Sequence, residues 1–452
     1  RAKMADLYHQ PTFRSNLTID TLSVNSQKIG ETRITSKWNN QEQTIAMGVQ
    51  SKRGQLKTID LRGVYKPKNQ NIRFDIGLDK LKMAVLNPLL EKSFSGFNGA
   101  VSGNLKVTGT TREPVFNGRL SAQKASFVID YLQTEYHLTH PLQVSNNKLF
   151  FNALEVTDNQ GNTAQVDGRL RFNSLQNIDY TFIIDASELR ALNTTGLDNS
   201  IYYGNAWATG LVNIEGNTQS KSLNIDASLT TNEGTRINLP VGDRGGNQKT
   251  RFITFVNAQN DMSGTQAEEN PFQQNLSGLT MNFDLEVTPQ ARTRLIFDPD
   301  LRDIIEASGR GNLNMEVDNS GDFRIYGNYT IEEGDYMFSL KNVINKQFEI
   351  EQGSQILWNG EPQDADIDIT AVYNLRTSLN NLFMDTTRFN YNKRIPVECR
   401  IHLTEKLSNP TIDFDINLPT ADESTKAMLQ SAINTEEELN KQFLSLLVLN
   451  TF

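Results

Sequence analysis

Short groups of apolar residues at every second position mark the stretch over residues 327–373. Tyr336 and Phe338 form one such group, and glycines or the Asn359-Gly360 pair separate it from its neighbours. Period-two alternation is typical of a strand with one apolar and one polar face. Glycine and asparagine favour the tight turns that join antiparallel strands. The pattern therefore predicts consecutive antiparallel strands whose apolar side chains share one face.

The alternating pattern recurs along the chain. Three stretches open on a glycine, alternate, and lead to a second strand. The small residue that ends this strand, Gly118, Ala227 or Gly327, precedes the next small residue by seven positions. Since one such unit leaves its apolar face uncovered, stacked units must share a continuous face, as in repeat proteins. The repeats predict a sheet that grows in one dimension. The three opening stretches are Gly103–Val107, Gly210–Ile214 and Gly311–Met315.

The last part of the chain has a different period. Met428, Leu429 and Ile433 fall at helical spacing, and Thr435 with Glu438 matches a capping box that begins a second helix. We therefore expect a β-region over residues 1–420 and a helical tail over residues 421–452.

Composition narrows the function classes. The chain has 452 residues, 37% of them hydrophobic, a net charge of -9, and a mean hydropathy of -0.49. Low hydropathy suits an elongated sheet with a large surface. The acidic balance argues against nucleic acid as a partner, because phosphate binding needs concentrated lysine and arginine. The chain begins within a polar stretch without a signal peptide, so we expect a fragment of a longer protein.

Candidate chemistry is sparse. His137 and His140 would point to opposite faces of a strand, so they do not chelate one metal there. Alternating carboxylates at residues 364–368 suggest calcium but lack the glycine and distal glutamate of an EF-hand, which favours a solvated outer face. Cys399 is interpreted as a packing residue. We expect no enzyme activity, no catalytic residues, no metal and no cofactor.

The residues of the last third resemble a known family. The order Gly-x-Tyr-x-Ile-x-x-Gly-x-Tyr-x-Phe from Gly327 is followed by Phe-x-Ile from Phe348 and a Trp-x-Gly at Trp358. Asn409-Pro410 and Leu418-Pro419 continue the pattern. This order resembles the C-terminal region of the TamB (translocation and assembly module) family, which is related to bridge-like lipid transfer and AsmA-like proteins.

The resemblance implies an all-β fold: an elongated antiparallel sheet curled into a taco-like hydrophobic groove, with a short helical C-terminal tail. It implies that the groove carries phospholipid between the inner and outer membranes, assists outer-membrane protein assembly, or does both. The protein would lie in the periplasm, tethered by an inner-membrane anchor in a missing N-terminal part, and contact a BamA-like (TamA-type) outer-membrane barrel protein.

Two sets of residues follow from these expectations. For docking on the barrel protein, we predict Phe443, Leu446 and Leu447 of the tail. The side chains predicted to line the lipid groove are Leu105, Val107, Tyr329, Ile331, Tyr336, Phe338, Phe348, Ile350, Ile356, Trp358, Ile367 and Ile369.

Three alternatives remain open from the residues alone. The alternating face is also compatible with the core of a β-sandwich. Alternating segments and the terminal Phe452 are found in outer-membrane β-barrels and porins, although the last ten residues do not alternate. An extracellular β-repeat adhesin is the third alternative.

Overall fold

The chain forms two compact units. The first consists of residues 1–193 and 208–227, and the second of residues 194–207 and 228–452. The computed structural model describes residues 2–5, 12–24, 27–86, 94–174, 177–199, 202–241, 278–298, 303–318, 322–340, 344–380, 382 and 393–452.

Strands make up the first unit. The strands β13 (Tyr203–Asn217) and β14 (Ser222–Thr231) contribute residues to both units, as does the strand before them through its last residue, Thr194. The strands before them are β1 (Ala2–Ala5), β2 (Thr12–Val24), β3 (Gln27–Asn39), β4 (Thr44–Arg53), β5 (Leu56–Lys66), β6 (Asn71–Lys82), β7 (Phe94–Gly109), β8 (Pro114–Ile129), β9 (Thr134–Ser145), β10 (Lys148–Thr157), β11 (Thr163–Phe172) and β12 (Ile178–Thr194).

The second unit combines strands with the two α-helices of the tail, α1 (Glu423–Ala432) and α2 (Glu436–Leu449). A short 3-10 turn occurs here at Pro362–Asp364, and two others lie in the first unit at Pro67–Asn69 and Met83–Leu86. The remaining strands are β15 (Arg236–Pro240), β16 (Leu279–Val287), β17 (Arg292–Asp298), β18 (Asp303–Val317), β19 (Phe323–Leu340), β20 (Ile344–Ile350), β21 (Gln355–Gly360), β22 (Asp366–Thr377), β23 (Ile395–Lys406) and β24 (Asn409–Asn417).

Strand pairing is antiparallel almost throughout. Each strand pairs with the next one along the chain from β1 to β12 and from β21 to β24. The long strand β19 pairs with both β20 and β21, which follow each other along it. β15 and β17 are parallel. The fold class predicted from the sequence is confirmed: the protein is all-β, 72% strand and 9% helical, with a long antiparallel-type sheet and a helical C-terminal tail.

The first and third predicted repeats share a strand register. In β7 and β8, Gly103 lies opposite Leu120, and Leu105 opposite Gly118. In β18 and β19, Gly311 lies opposite Tyr329, and Leu313 opposite Gly327. In each hairpin, a glycine of the first strand thus lies opposite a bulky side chain of the second, and two positions further on a bulky side chain of the first strand lies opposite a glycine of the second. The spacing seen in the sequence therefore corresponds to a repeated pairing arrangement.

A series of left-handed residues crosses the first unit at alternate strands. Lys80, Lys124, Ala153 and Glu188 have φ values of 49°, 46°, 48° and 52°. The first three lie where the register with the next strand slips. Such β-bulges bend a strand and increase its local twist. Each backbone amide donates to a side-chain oxygen of the following strand: Ser102 Oγ (2.9 Å), Thr139 Oγ1 (3.3 Å), Asp167 Oδ1 (2.8 Å) and Thr209 Oγ1 (3.0 Å), respectively.

Both helices begin at a capping residue, and the one that begins α2 is the Thr435 predicted from the sequence. Asp422 Oδ1 accepts a hydrogen bond from the Thr425 amide at the start of α1, and Thr435 Oγ1 accepts one from the Glu438 amide at the start of α2. Such caps satisfy amides that have no partner within the helix. The Glu438 carboxylate accepts from Gln442 Nε2 at 2.7 Å instead of completing a capping box.

Replacing Gly118 with alanine is expected to destabilise the first unit. Its φ is +155°, and a Cβ atom there would lie 2.1 Å from the Asn104 carbonyl oxygen on the paired strand. The strands must separate to relieve this overlap, so we expect a loss of about 2–3 kcal/mol in unfolding free energy, as for other mutations that force strain. Chemical denaturation measures it.

Gly77→Ala is the matched control. A Cβ at Gly77 would meet its nearest atom, Asn104 Oδ1, at 3.5 Å, which is an ordinary contact. We expect this variant to be as stable as the unaltered chain or slightly more stable. Equal stability of Gly118→Ala and Gly77→Ala would contradict the close approach of β7 and β8.

Candidate functional site

The groove-lining residues predicted in the second unit share one face. Tyr336 lies directly opposite Phe348, and Ile356 lies between Tyr329 and Ile367 in successive strands. Opposed residues of antiparallel strands point to the same side of the sheet. All ten predicted side chains from Tyr329 to Ile369 are buried, with exposures from 0% to 5%. They belong to one hydrophobic cluster.

Aromatic rings form the centre of this cluster. The Phe338 ring contacts those of Tyr336, Phe348 and Phe414, with centroids 6.0, 6.0 and 6.2 Å apart and edge-to-face geometry. This arrangement is favourable for ring pairs beyond the area they bury. Trp358 satisfies its indole N–H by donating to the Pro362 carbonyl at 3.1 Å. Phe414, on β24, joins the cluster although the sequence analysis did not select it.

The tail covers this face. On α2, the Phe443 ring stacks on Phe348, with centroids 6.4 Å apart and an interplanar angle of 18°, and lies 4.4 Å from the Phe414 ring. Leu446 and Leu447 are likewise 0% exposed. The structure thus brings the predicted docking residues and the predicted lining residues of the second unit into one cluster. Their roles in docking and lipid contact stay predictions.

Burial also governs the titratable groups of the cluster. It raises the pKa of Tyr329 to about 12 and raises that of Tyr336 further, so both hydroxyls stay protonated. Burial, with a smaller effect of the Asp415 charge, raises the pKa of the Cys399 thiol to about 12. Cys399 is 0% exposed. It fits the packing role predicted from the sequence.

The first unit presents an apolar row, and its described residues contain no α-helix. Its members lie opposite one another in successive strands from β2 to β12, so all point to the same side. They include the predicted lining residue Leu105. The row, which we call the apolar row, consists of Leu17, Ile34, Val49, Leu61, Ile76, Leu105, Gly118, Val144, Leu149, Leu170 and Tyr180.

Exposure distinguishes the apolar row from the cluster of the second unit. Leu17 is 51% exposed, and the other members are half-buried. The predicted residue Val107 lies in the adjacent row, opposite Phe74 and Phe116, and is buried. In the described part of the first unit, no α-helix lies over these residues. Their lipid contact stays a prediction.

The other side of the same strands is polar. Residues offset by one position from the apolar row also lie opposite one another, from Thr18 on β2 to Gln143 on β9. The sheet of the first unit is therefore one-sided. This polar row is Thr18, Arg33, Gln50, Asp60, Gly77, Asn104, Arg119 and Gln143.

The carboxylates weighed as calcium ligands lie at the surface. Asp364 and Asp368 are exposed, and Asp366 pairs with Lys406 at 2.6 Å. The hydrogen bond from Lys406 lowers the pKa of the Asp366 carboxyl. Among the described residues, no three histidine, cysteine, aspartate or glutamate side chains are grouped to hold a metal ion.

Comparison with known proteins agrees with the motif in the last third of the chain. The family model described as TamB C-terminal domain matches residues 152–452, about two thirds of the chain. No match was found among curated proteins. Within the described ranges, neither helix reaches the length and hydropathy needed to span a membrane.

We expect Cys399 to resist thiol reagents in the folded protein. A buried thiol with a raised pKa has little thiolate, which is the reactive form. Incubation with a maleimide at pH 8 should leave the native chain unmodified by mass spectrometry, and the same reagent in urea should modify it completely. Rapid labelling of the folded chain would mean that β23 is not covered.

Proposed function

Because the chain belongs to the TamB family, we propose that its one-sided sheet carries the acyl chains of phospholipids across the periplasm, between the inner and outer membranes. The family is one of envelope-associated proteins with a role in lipid transport or in translocation and assembly. In this proposal the acyl chains lie on the apolar face and the headgroup stays in water. The protein binds and guides lipid without catalysing a reaction.

The apolar row of the first unit is the observation that carries the proposal. Removing one CH₂ group from water is favourable by roughly 0.8 kcal/mol. Moving an acyl chain of about sixteen carbons through water without any apolar cover therefore costs more than about 10 kcal/mol. A face of half-buried aliphatic side chains offers a place where most of that cost is avoided. No charged residue interrupts the row between Leu17 and Tyr180.

The dimensions of the row also support lipid as the occupant. Its members belong to successive strands, and strands are spaced about 4.8 Å apart, so ten steps give a contour of about 48 Å. One leaflet of a bilayer has a hydrocarbon thickness of about 15 Å, half of a ~30 Å core. A phospholipid tail laid along the row would therefore contact several side chains at once and could move from strand to strand without leaving the apolar face.

The partner and location complete the proposal. TamB-family proteins work with outer-membrane partner proteins. We propose a BamA-like (TamA-type) barrel protein as the partner here, with an inner-membrane anchor in a longer chain. Help in assembling outer-membrane proteins is the second candidate function, favoured by the family alone. Docking through Phe443, Leu446 and Leu447 would require these side chains to leave the sheet, since all three are 0% exposed.

Photocrosslinking tests the lipid path. Phe74 is half-buried in the row next to the apolar row, and Asp75 follows it on the opposite face. We expect p-azidophenylalanine at position 74 to crosslink phospholipid in the cell envelope, whereas the same group at position 75 does not. Equal crosslinking at both positions, or none at 74, would remove the apolar face from the lipid path.

A charge on the face should block lipid binding without unfolding the chain. Leu105 is half-buried, so an aspartate there can still reach water and should cost little stability, in contrast to a charge in a closed core. We expect Leu105→Asp to melt near the temperature of the unaltered chain but to copurify with several-fold less phospholipid, measured by mass spectrometry. Asn104→Asp, on the polar row, is the control and should retain the lipid. Unchanged lipid in Leu105→Asp would argue against this face.

A further inference from the structure

We propose that the tail is a displaceable lid: α2 occupies, on the apolar face of the second unit, the place that acyl chains would take, and phospholipid displaces it. The inference rests on the proposed lipid-binding function. Its geometric basis is the contact of Phe443 with Phe348 and Phe414 on the sheet. The same kind of face is covered by a helix here and half-exposed in the first unit.

The lid is bound to the sheet through apolar side chains. Phe443, Leu446 and Leu447 lie in the same cluster as the strand residues, together with Leu429 of α1 and the terminal Phe452. Hydrophobic contact has no directional requirement, so another apolar group of similar area can replace it. A phospholipid brings two acyl chains of about sixteen carbons each, so it can supply at least as much apolar area as the tail side chains that it would replace.

The tail has the features of an element that stays helical when lifted. Both helices carry their own N-caps, at Asp422 and Thr435, and α2 ends at Asn450 in a left-handed conformation whose amide donates to the Leu446 carbonyl. Other polar contacts of α2 also lie within the tail, such as Gln442 to Glu438 and Ser445 to the Thr451 carbonyl. These bonds survive if the helix leaves the sheet.

A hinge lies at the start of the tail. Leu418 is 1% exposed and anchors the chain in the cluster after β24. The next two residues, Pro419 and Thr420, are exposed and precede α1. A short exposed segment between an anchored strand and a capped helix allows the helices to rotate away without disturbing the strands.

Displacement would link the two roles predicted from the sequence. When α2 leaves, Phe348 and its neighbours become available to acyl chains. At the same time, Phe443, Leu446 and Leu447 become available to a partner. Lipid bound on the second unit would therefore expose the docking residues, so that these residues become available to a partner only when lipid is present.

Hydrogen exchange on the unaltered chain tests displacement directly. The probe is dihexanoylphosphatidylcholine, kept monomeric, and the control is glycerophosphocholine, which has the same headgroup and no acyl chains. We expect the probe to raise the exchange rates of α2 amides at least tenfold while those of β22 and β23 stay constant. Unchanged α2 exchange at saturating probe would overturn the lid.

Crosslinking from within the cluster gives a second measurement. We place p-azidophenylalanine at position 348, where it preserves an aromatic ring, and combine it with Phe443→Ala or with Leu449→Ala. Leu449 is 66% exposed on the same helix, so it controls for a general effect of shortening an α2 side chain. We expect Phe443→Ala to increase phospholipid crosslinking at 348 several-fold and Leu449→Ala to leave it unchanged.

The outcomes separate the lid from the function on which it rests. Lipid crosslinking at position 74 without any at 348 in the Phe443→Ala variant would overturn the lid and leave the lipid path intact. Absence of crosslinking at 74 would overturn the path itself. If Phe443→Ala fails to fold, the exchange measurement on the unaltered chain decides, because it requires no substitution.

Discussion

The structure depends on strand register. In an antiparallel pair, opposed residues point to the same side, so a register kept through many strands adds one side chain per strand to a single row. From Leu17 to Tyr180 the register is kept across β2 to β12, although bulges occur elsewhere in the same strands. In most of these strands, a slip by one residue in either direction would place a polar side chain in the row. Register thus matters more here than the identity of any one apolar residue.

Among the described residues, the two units differ in whether an α-helix of the chain covers the apolar face of the sheet. A sheet face of aliphatic and aromatic side chains is unfavourable in water, and the second unit covers its own with α2, which brings Phe443 to 0% exposure. The described part of the first unit contains no α-helix, and residues such as Ile76 and Leu105 remain half-buried. Under our proposal acyl chains supply the cover there. The single-sided pattern also accounts for a mean hydropathy of -0.49, because the opposite face of the same strands is polar.

Much of the fold could be predicted from the sequence because its determinants are local. Period-two alternation predicts strands and their faces, and Tyr336 and Phe348, which were predicted to share a face, lie opposite each other. The caps at Asp422 and Thr435 lie within a few residues of the amides they bind, and the second is recognisable as a Thr-x-x-Glu motif. Small residues at recurring positions predicted the repeat, and in its first and third copies the hairpin register is the same at Gly118 and Gly327.

What the sequence could not predict is nonlocal. The bulge residue Lys124 is an ordinary lysine in an alternating strand, and only its partner Thr139, fifteen positions away, explains why its amide is satisfied. Likewise, the apolar run around Phe443 predicted a surface that binds something, but period and composition do not say what. The structure provides Phe348 and Phe414 of the same chain as contacts. An apolar helix that follows an apolar sheet face in the same chain is therefore expected first to pack on that face. Whether it can bind any other molecule depends on how easily this internal contact is replaced.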